Sequence, residues 1–210
     1  MDRKGVLVVI SGFAGVGKGT LVKSLMEKYD NYALSVSMTT RAPRAGEQEG
    51  VSYFFVSREK FEQTIAEDGL IEYAEYVGNY YGTPKSYVED QLSKGKDVIL
   101  EIEIQGAHNI RKIYPDAVLI FVMPPSAEML KERLTGRGTE TAEVIKKRMD
   151  RAAQEATGIE DYDYIVVNDT VEQCTAKLRE IIETAHCRPV MNEDFITAVR
   201  SELKAMAGEG

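Results

Sequence analysis

The chain has 210 residues, with 34 acidic against 26 basic side chains and a net charge of −8. That balance argues against a binder of nucleic-acid backbones, which is ordinarily basic, and confines any polyanion site to a local cluster of arginine and lysine in an acidic surface. Two cysteines without metal-ligand spacing and two histidines argue against a zinc site. No stretch approaches the roughly 20 apolar residues of a membrane span and the first residues show no signal-peptide pattern, so a cytoplasmic chain is expected.

Val6-Leu7-Val8-Val9-Ile10 is apolar without alternation, the pattern of a strand buried on both faces of a parallel sheet. Gly12-Phe13-Ala14-Gly15-Val16-Gly17-Lys18-Gly19-Thr20 follows it directly. Glycines at 12, 15 and 17 let successive N–H groups point into one concavity that suits a phosphate chain. Lys18 then reaches the β- and γ-phosphates, and the helix opening near Gly19 adds its positive end. A hydroxyl residue ordinarily follows this lysine. Here Gly19 does, with Thr20 one step later, so magnesium is expected to be held mainly through water and phosphate, Thr20 being the loop's own hydroxyl. Apolar residues at 21, 22, 25 and 26 form a helical stripe, completing the first unit of a doubly wound sheet. The loop indicates a nucleoside triphosphate and leaves the acceptor of the phosphate open.

Between Thr39 and Glu47 the chain is rich in turn formers and hydroxyls. Arg41 and Arg44 flank a proline there with no apolar periodicity, which points to two arginines converging on an anion. Ser52-Tyr53-Phe54-Phe55-Val56 predicts a strand, and Ser57 the N-cap of a helix to about Asp68, with Phe61 and Ile65 buried and Gly69 stopping it. The segment from Ile71 to Val77 alternates as a strand does, and Gly78-Asn79 turns into Tyr80-Tyr81-Gly82-Thr83-Pro84. Residues 35–84 thus read as a small, mostly β insertion between units of the parallel sheet, where a substrate domain belongs.

Ser37-Met38-Thr39-Thr40-Arg41-Ala42-Pro43-Arg44-Ala45-Gly46-Glu47, then Tyr53, Glu72 and Gly78-Asn79-Tyr80-Tyr81-Gly82-Thr83, together resemble the guanylate kinase family, whose members phosphorylate GMP from ATP. The resemblance runs from the loop to about residue 185. It implies that Arg41, Arg44, Tyr53 and Tyr81 grip the GMP phosphate, and that Ser37, Glu72 and Thr83 read the guanine. The chemistry agrees, since a carboxylate accepts from both the ring N–H and the exocyclic amine of guanine.

Past Pro84 a helix is expected to about Lys94, then a buried strand from Asp97 to Glu103. Carboxylates at the C-terminal end of a central strand face the ligand crevice, so Glu101 and Glu103 are candidates for touching the GMP side or orienting water on magnesium. Gln105-Gly106-Ala107 begins another helix, Val118-Leu119-Ile120-Phe121-Val122 is a further parallel strand, and Pro124-Pro125-Ser126 starts a helix carrying Leu130, Arg133 and Leu134. Two glycines interrupt the helical pattern between Arg133 and Thr141, before a long helix bearing Arg148 and Arg151. The resemblance implies a mobile lid over ATP here. Its Arg133, Arg137 and Arg148 then approach the transferring phosphoryl group, while Arg151 stands evenly between that role and solvation. The strand Tyr164-Ile165-Val166-Val167 ends in Asn168-Asp169, similar to the family's segment beside the adenine of ATP. A helix follows from about Val171 to Ala185, in which Cys174 reads as a buried residue. Beyond it, residues 192–206 read as an amphipathic helix with Phe195, Val199 and Leu203 on one side, expected by default to pack on the domain, with a subunit contact as the alternative.

The fold expected is α/β, a P-loop NTPase-type parallel sheet flanked by helices. Its parts are a core (1–34, 85–126 and 157–185), a mostly β GMP-binding insertion (35–84), a helical lid (about 127–156) and a tail (186–210). The activity expected is transfer of the γ-phosphoryl group of ATP to GMP, and to dGMP as well, with Mg2+. The partners are small molecules, with no nucleic acid and no membrane, and monomer against homo-oligomer is left open. One rival is a non-catalytic guanylate-kinase-like module that binds phosphorylated peptides through Arg41, Arg44 and Tyr53. The intact loop opposes it. Another is a kinase for a different phosphorylated small molecule, which Glu72 with Ser37 and Thr83 opposes.

Overall fold

Five unalternating strands form one parallel sheet in the computed structural model, which describes residues 4–44, 46–76, 78–136 and 142–208. β1 (Leu7–Gly12) lies at its centre, with β7 (Asp97–Glu101) on one side and β8 (Val118–Met123) on the other. β2 (Tyr32–Leu34) and β9 (Tyr164–Val167) form the edges, giving the order β2-β7-β1-β8-β9. The lack of alternation in β1 has a direct cause, because its two faces feed two different cores. Val6, Val8 and Ile10 join a cluster with Leu21, Leu25 and Leu178 from α1 (Lys18–Lys28) and α7 (Val171–Ala185). Leu7 and Val9 face the opposite way, toward Val88 of α3 (Lys85–Ser93) and Ala107 and Ile110 of α4 (Ile104–Ile113). Burial on both faces is the stabilising arrangement for parallel strands. Cys174 is buried in the first cluster.

A second sheet of four strands occupies the stretch expected as an insertion. β3 (Met38–Thr39), β4 (Phe54–Phe55), β5 (Leu70–Tyr76) and β6 (Asn79–Pro84) stand in the order β4-β3-β6-β5. β4 is shorter than the strand expected over 52–56, because Gly50 donates to the Tyr53 carbonyl at 2.9 Å and holds its first residues in a turn. Between β4 and β5 runs α2 (Arg58–Ala66), capped by Ser57, whose hydroxyl accepts from Lys60 N. Phe61 is fully buried, but Ile65 is only half-buried. The helix is stopped by Asp68, at φ 52°, and not by Gly69. A short polar side chain tolerates that left-handed backbone.

β7 ends at Glu101, two residues before the strand expected, and Glu103 becomes the N-cap of α4. α5 (Ala127–Thr135), capped by Ser126, and α6 (Ala142–Glu155) lie on the other face, with Leu130, Leu134 and Ala152 joining the first cluster. At the far edge of β7, the fully buried Asp97 carboxylate accepts from Val6 N at 2.9 Å and Asn31 Nδ2 at 3.2 Å, and His186 Nε2 lies 2.8 Å from it. Asn192 Nδ2 in turn donates to the His186 carbonyl at 2.7 Å, so the start of the tail is tied to the sheet. The tail then departs from expectation. α8 (Glu193–Gly208) buries none of its residues, and Phe195, Leu203 and Met206 are exposed. What packs is the short turn before it, where Met191 reaches the main core.

Candidate active site

The loop between β1 and α1 owes its path to two glycines. Gly15 at φ 86° and Gly17 at φ 101° occupy backbone conformations that side-chain-bearing residues avoid. A Cβ on Gly17 would lie 2.8 Å from Asn168 Nδ2, and one on Gly15 2.6 Å from Leu134 Cδ2. Phe13 anchors the loop from below, edge-on to Phe121 with ring centroids 5.1 Å apart, and Val16 is fully buried beside it. Lys18 begins α1 and folds over the loop, donating from Nζ to the Gly12 carbonyl at 2.6 Å and the Phe13 carbonyl at 3.3 Å. Burial pulls its ammonium below the ordinary lysine value, against the opposing pull of Glu101, Glu155 and Glu103. Thr20 is exposed one turn into the helix, and Ala14 and Gly19 are also exposed.

Glu101, at the C-terminal end of β7, lies on the phosphate-loop side. A Cβ built on Gly19 would be 3.8 Å from its Oε2, and Lys18 is the cation that most opposes the upward push of desolvation on its carboxyl. Glu103 points elsewhere. It pairs with Arg151 of α6, which also donates to Glu155 at 2.8 Å. Arg151 is therefore held by two carboxylates of the same crevice.

The Val16 end of the loop is closed by Asn168 and Arg133. Asn168, at the end of β9, is buried and donates from Nδ2 to the Val16 carbonyl at 2.8 Å. Arg133 of α5 donates to the same carbonyl at 3.2 Å and to the Asn168 carbonyl at 2.8 Å. Expected near the transferring group, Arg133 thus spends two donors on the backbone that shapes the loop. Asp169 is exposed beside them, Arg148 is half-buried on α6, and Arg137 lies outside the described residues.

On the second sheet, Arg41, Tyr53 and Tyr81 come together. The Arg41 guanidinium stands 5.4 Å from the Tyr53 ring centroid, and the Tyr53 and Tyr81 rings meet edge-on at 6.0 Å. Glu47, the last residue of the arginine motif, grips Arg41 Nη2 with both oxygens, at 2.8 and 3.0 Å, and accepts from Arg44 N at 2.7 Å. The Arg41 bond, then the Arg44 N–H, hold its carboxyl below the usual range. The Arg44 side chain is exposed beside this cluster. Its spacing, a carboxylate three residues after the second arginine in a tight loop, was the available signal. Glu72 and Thr83 pair directly across β5 and β6, and the Thr83 hydroxyl donates to Glu72 Oε1 at 2.8 Å. Burial raises the Glu72 carboxyl above its ordinary value, with the Thr83 bond opposing it. Ser37 is half-buried at the head of β3, its carbonyl accepting from Phe54 N at 2.9 Å.

A glycine-rich loop with its lysine at the C-terminal end of the central strand of a parallel sheet, together with a separate small sheet bearing arginine, paired tyrosines and a buried carboxylate, defines a phosphate-loop nucleotide kinase. A family model described as guanylate kinase matches residues 4–185. A guanylate kinase of Halalkalibacterium halodurans is 54% identical over 186 residues, covering 89% of this chain and 91% of its own. One of Latilactobacillus sakei subsp. sakei is 48% identical over 210 residues, covering 100% of both chains. The crystal structure of guanylate kinase from Anaplasma phagocytophilum matches with a TM-score of 0.68 at 36% identity, covering 89% of each chain. The chain belongs to the guanylate kinase family. It is a nucleoside monophosphate kinase that transfers a phosphoryl group from ATP to GMP.

Proposed function

We propose that the two sheets divide the reaction between them, the phosphate loop holding ATP and the second sheet holding GMP. The observation that carries this division is spatial grouping. Lys18 and Glu101 both lie at the phosphate loop of the first sheet, whereas the Arg41–Tyr53–Tyr81 group and the Glu72–Thr83 pair belong to the second. Lys18 has three N–H donors, two of them fixed on loop carbonyls, which aims the third at a phosphate oxygen. Arg41, clamped by Glu47 and the Ala42 carbonyl at 2.7 Å, presents a planar fork to the GMP phosphate, with Arg44 beside it. Glu72, with Ser37 and Thr83, accepts from the guanine edge. The same site accepts dGMP, since none of these contacts needs the 2′-hydroxyl.

The donor set fits magnesium held through phosphate and water. Among the described residues no group of three or more His, Cys, Asp or Glu side chains forms a metal cage. Hard oxygens are nonetheless present at the crevice, the Glu101 carboxylate next to Gly19 and the Thr20 hydroxyl, and a magnesium ion that keeps most of its waters needs only one or two such groups. When bound, the ion neutralises charge on the β- and γ-phosphates. The protein's own part is positioning and charge neutralisation. No general base is needed, because a phosphate monoester, with a second pKa of about 6, already offers an anionic oxygen at neutral pH. Arg133 and Asn168 keep the loop in shape through Val16, and Arg148 and Arg137 come from the lid, whose closure over both nucleotides excludes water. Among the described residues no helix is long and apolar enough to cross a membrane, and we place the reaction in the cytoplasm.

The test is Lys18→Met. Turnover should fall by about two to three orders of magnitude with the fold retained. Calorimetry should show ATP binding weakened and GMP binding nearly unchanged. Equal loss of both nucleotides would place Lys18 between the sites and overturn the division.

A further inference from the structure

Ser11 sits where the central pairing of the sheet ends. β1 and β7 are in register from Leu7 with Val98 to Ile10 with Glu101, and Glu101 is the last residue of β7. At the next step a side chain takes over from the backbone ladder, the Ser11 hydroxyl donating to the Ile102 carbonyl at 2.7 Å. On its other side Ser11 stays in register with Phe121 of β8, and it is fully buried. A buried hydroxyl is costly unless it is bonded, and here its one donor is committed to a single acceptor.

What that bond controls lies on either side of the acceptor. Ile102 separates Glu101 from Glu103, the two carboxylates of the crevice. Glu103 is held at its carboxylate by Arg151, whereas burial and the Lys18 charge are what act on the Glu101 carboxyl. Glu101 therefore takes its aim from the backbone that carries it. That backbone is fixed on one side by the pairing with Ile10 and on the other by Ser11. The residue after Ser11 is Gly12, whose carbonyl accepts from Lys18 Nζ at 2.6 Å. One serine thus ties the strand ending in Glu101 to the turn that holds Lys18. Tyr162 supports it from the β9 side, with its ring edge-on to Phe121 at 5.1 Å and its hydroxyl buried. Burial pushes that hydroxyl up to about 12, and the Ser11 side chain draws it back.

We propose that Ser11 is a positioning residue for phosphoryl transfer, its hydroxyl holding the Ile102 carbonyl so that Glu101 stays aimed at the phosphate loop beside Lys18. The proposal rests on the reading of Glu101 as the carboxylate that orients water on magnesium. Removing an outer partner of a metal-side group ordinarily costs about 10–100-fold in metal affinity or activity.

The test compares four side chains at this one position. Ser11→Ala removes the hydroxyl, and Ser11→Val removes it within the volume of Ser11→Thr, which keeps it. In the Ala and Val variants the magnesium concentration for half-maximal turnover should rise by about tenfold and kcat should fall by about tenfold. KM for GMP should change little, and Ser11→Thr should stay close to the parent. In protein free of metal and nucleotide, the Ala107 amide, bonded to the Glu103 carbonyl at 3.0 Å, should exchange with deuterium about tenfold faster in Ser11→Ala. Thr and Val variants with the same magnesium dependence would overturn the proposal. A Ser11→Ala protein that lost stability alone, with parent kcat and magnesium dependence, would overturn it too. Glu101→Gln separates the proposal from the reading beneath it. If Glu101→Gln left the magnesium dependence unchanged, that reading would fall and the proposal with it. If it shifted the dependence, yet Ser11→Ala cost as much in the Glu101→Gln protein as in the parent, the reading would stand and Ser11 would not act through Glu101.

Discussion

Thr83 Oγ1 donates to Glu72 Oε1 at 2.8 Å, across a ladder in which the two residues are direct neighbours. Two opposed effects therefore act on one carboxylate. Burial raises it above its ordinary value, and the hydroxyl draws it back. The base-reading role proposed for Glu72 requires its ionised form, so kcat/KM for GMP should fall as pH drops through a limb lying above 4.5, the ordinary value. Thr83→Val removes the bond that favours the charge and should move the limb to higher pH. A pH profile at saturating ATP checks this, and a limb unmoved in Thr83→Val would contradict it. For stability, a carboxyl raised in the folded state stabilises in acid, and that contribution is lost as pH rises through its folded value. Glu72→Gln should accordingly be no less stable than the parent at pH 7 in urea.

The same substitution should change base selection. Glutamine replaces one acceptor by a donor, which opposes a guanine N–H but satisfies the unprotonated ring nitrogen of adenine. Glu72→Gln is expected to lose about 1–3 kcal/mol of transition-state binding for GMP and to gain relatively on AMP. The ratio of kcat/KM for the two nucleotides is the measurement, and an unchanged ratio would remove Glu72 from the base site.

Glu47 should prove to be a positioning residue for the GMP phosphate. It holds the Arg41 guanidinium with both oxygens and the Arg44 backbone N–H with one. Glu47→Ala releases both while leaving every proposed substrate contact in place, so KM for GMP should rise by about tenfold with KM for ATP unchanged. Glu47→Gln, which keeps part of the grip, should recover much of that loss. Arg41→Lys keeps the charge but not the planar fork and should be worse than Glu47→Gln. Parallel rises in the two KM values would argue against an acceptor role.

Asn168 and Arg133 both donate to the Val16 carbonyl. Asn168→Ala removes the buried donor and should cost about 1–3 kcal/mol in denaturant unfolding, with KM for ATP raised and KM for GMP little changed. Arg133→Met should raise KM for ATP in the same way. If Arg133→Met lowered kcat alone, the residue would act on the transferring group and not on the loop.

The core strands, the loop and most helix ends were readable because each has a local cause. β1 is apolar on both sides since each side meets a different cluster, and Ser57 and Ser126 cap helices through their own hydroxyls. Glu72, Thr83, Arg41 and Tyr53 were legible as a spaced set, and the structure does bring them into two small groups. What escaped was set by contacts distant in sequence. Arg133 meets Val16 across 117 positions, and Glu103 meets Arg151 across 48. Neither partner is implied by its neighbours along the chain. The end of α2 was misplaced for another reason, since Asp68 and Gly69 both suit a left-handed position and only the Gly69–Thr64 backbone bond decides between them. The tail sequence is amphipathic, but a pattern of this kind specifies that a face is apolar and not what lies against it.

The central place of β1 governs how the molecule is made. Its partner strands end at Glu101 and Met123, so this apolar segment leaves the ribosome about 110 residues before both neighbours exist. At about 5–20 residues per second that is a wait of roughly 5–20 seconds with an unpaired, β-branched strand in the nascent chain. The acceptor sheet is different. β3 to β6 all lie within residues 38–84, and their pairings close over short distances. The half of the enzyme proposed for GMP can therefore fold while translation continues. The half proposed for ATP, though it carries the earlier residues, must wait for the middle of the chain, and in that interval β1 is the segment a chaperone has most reason to hold.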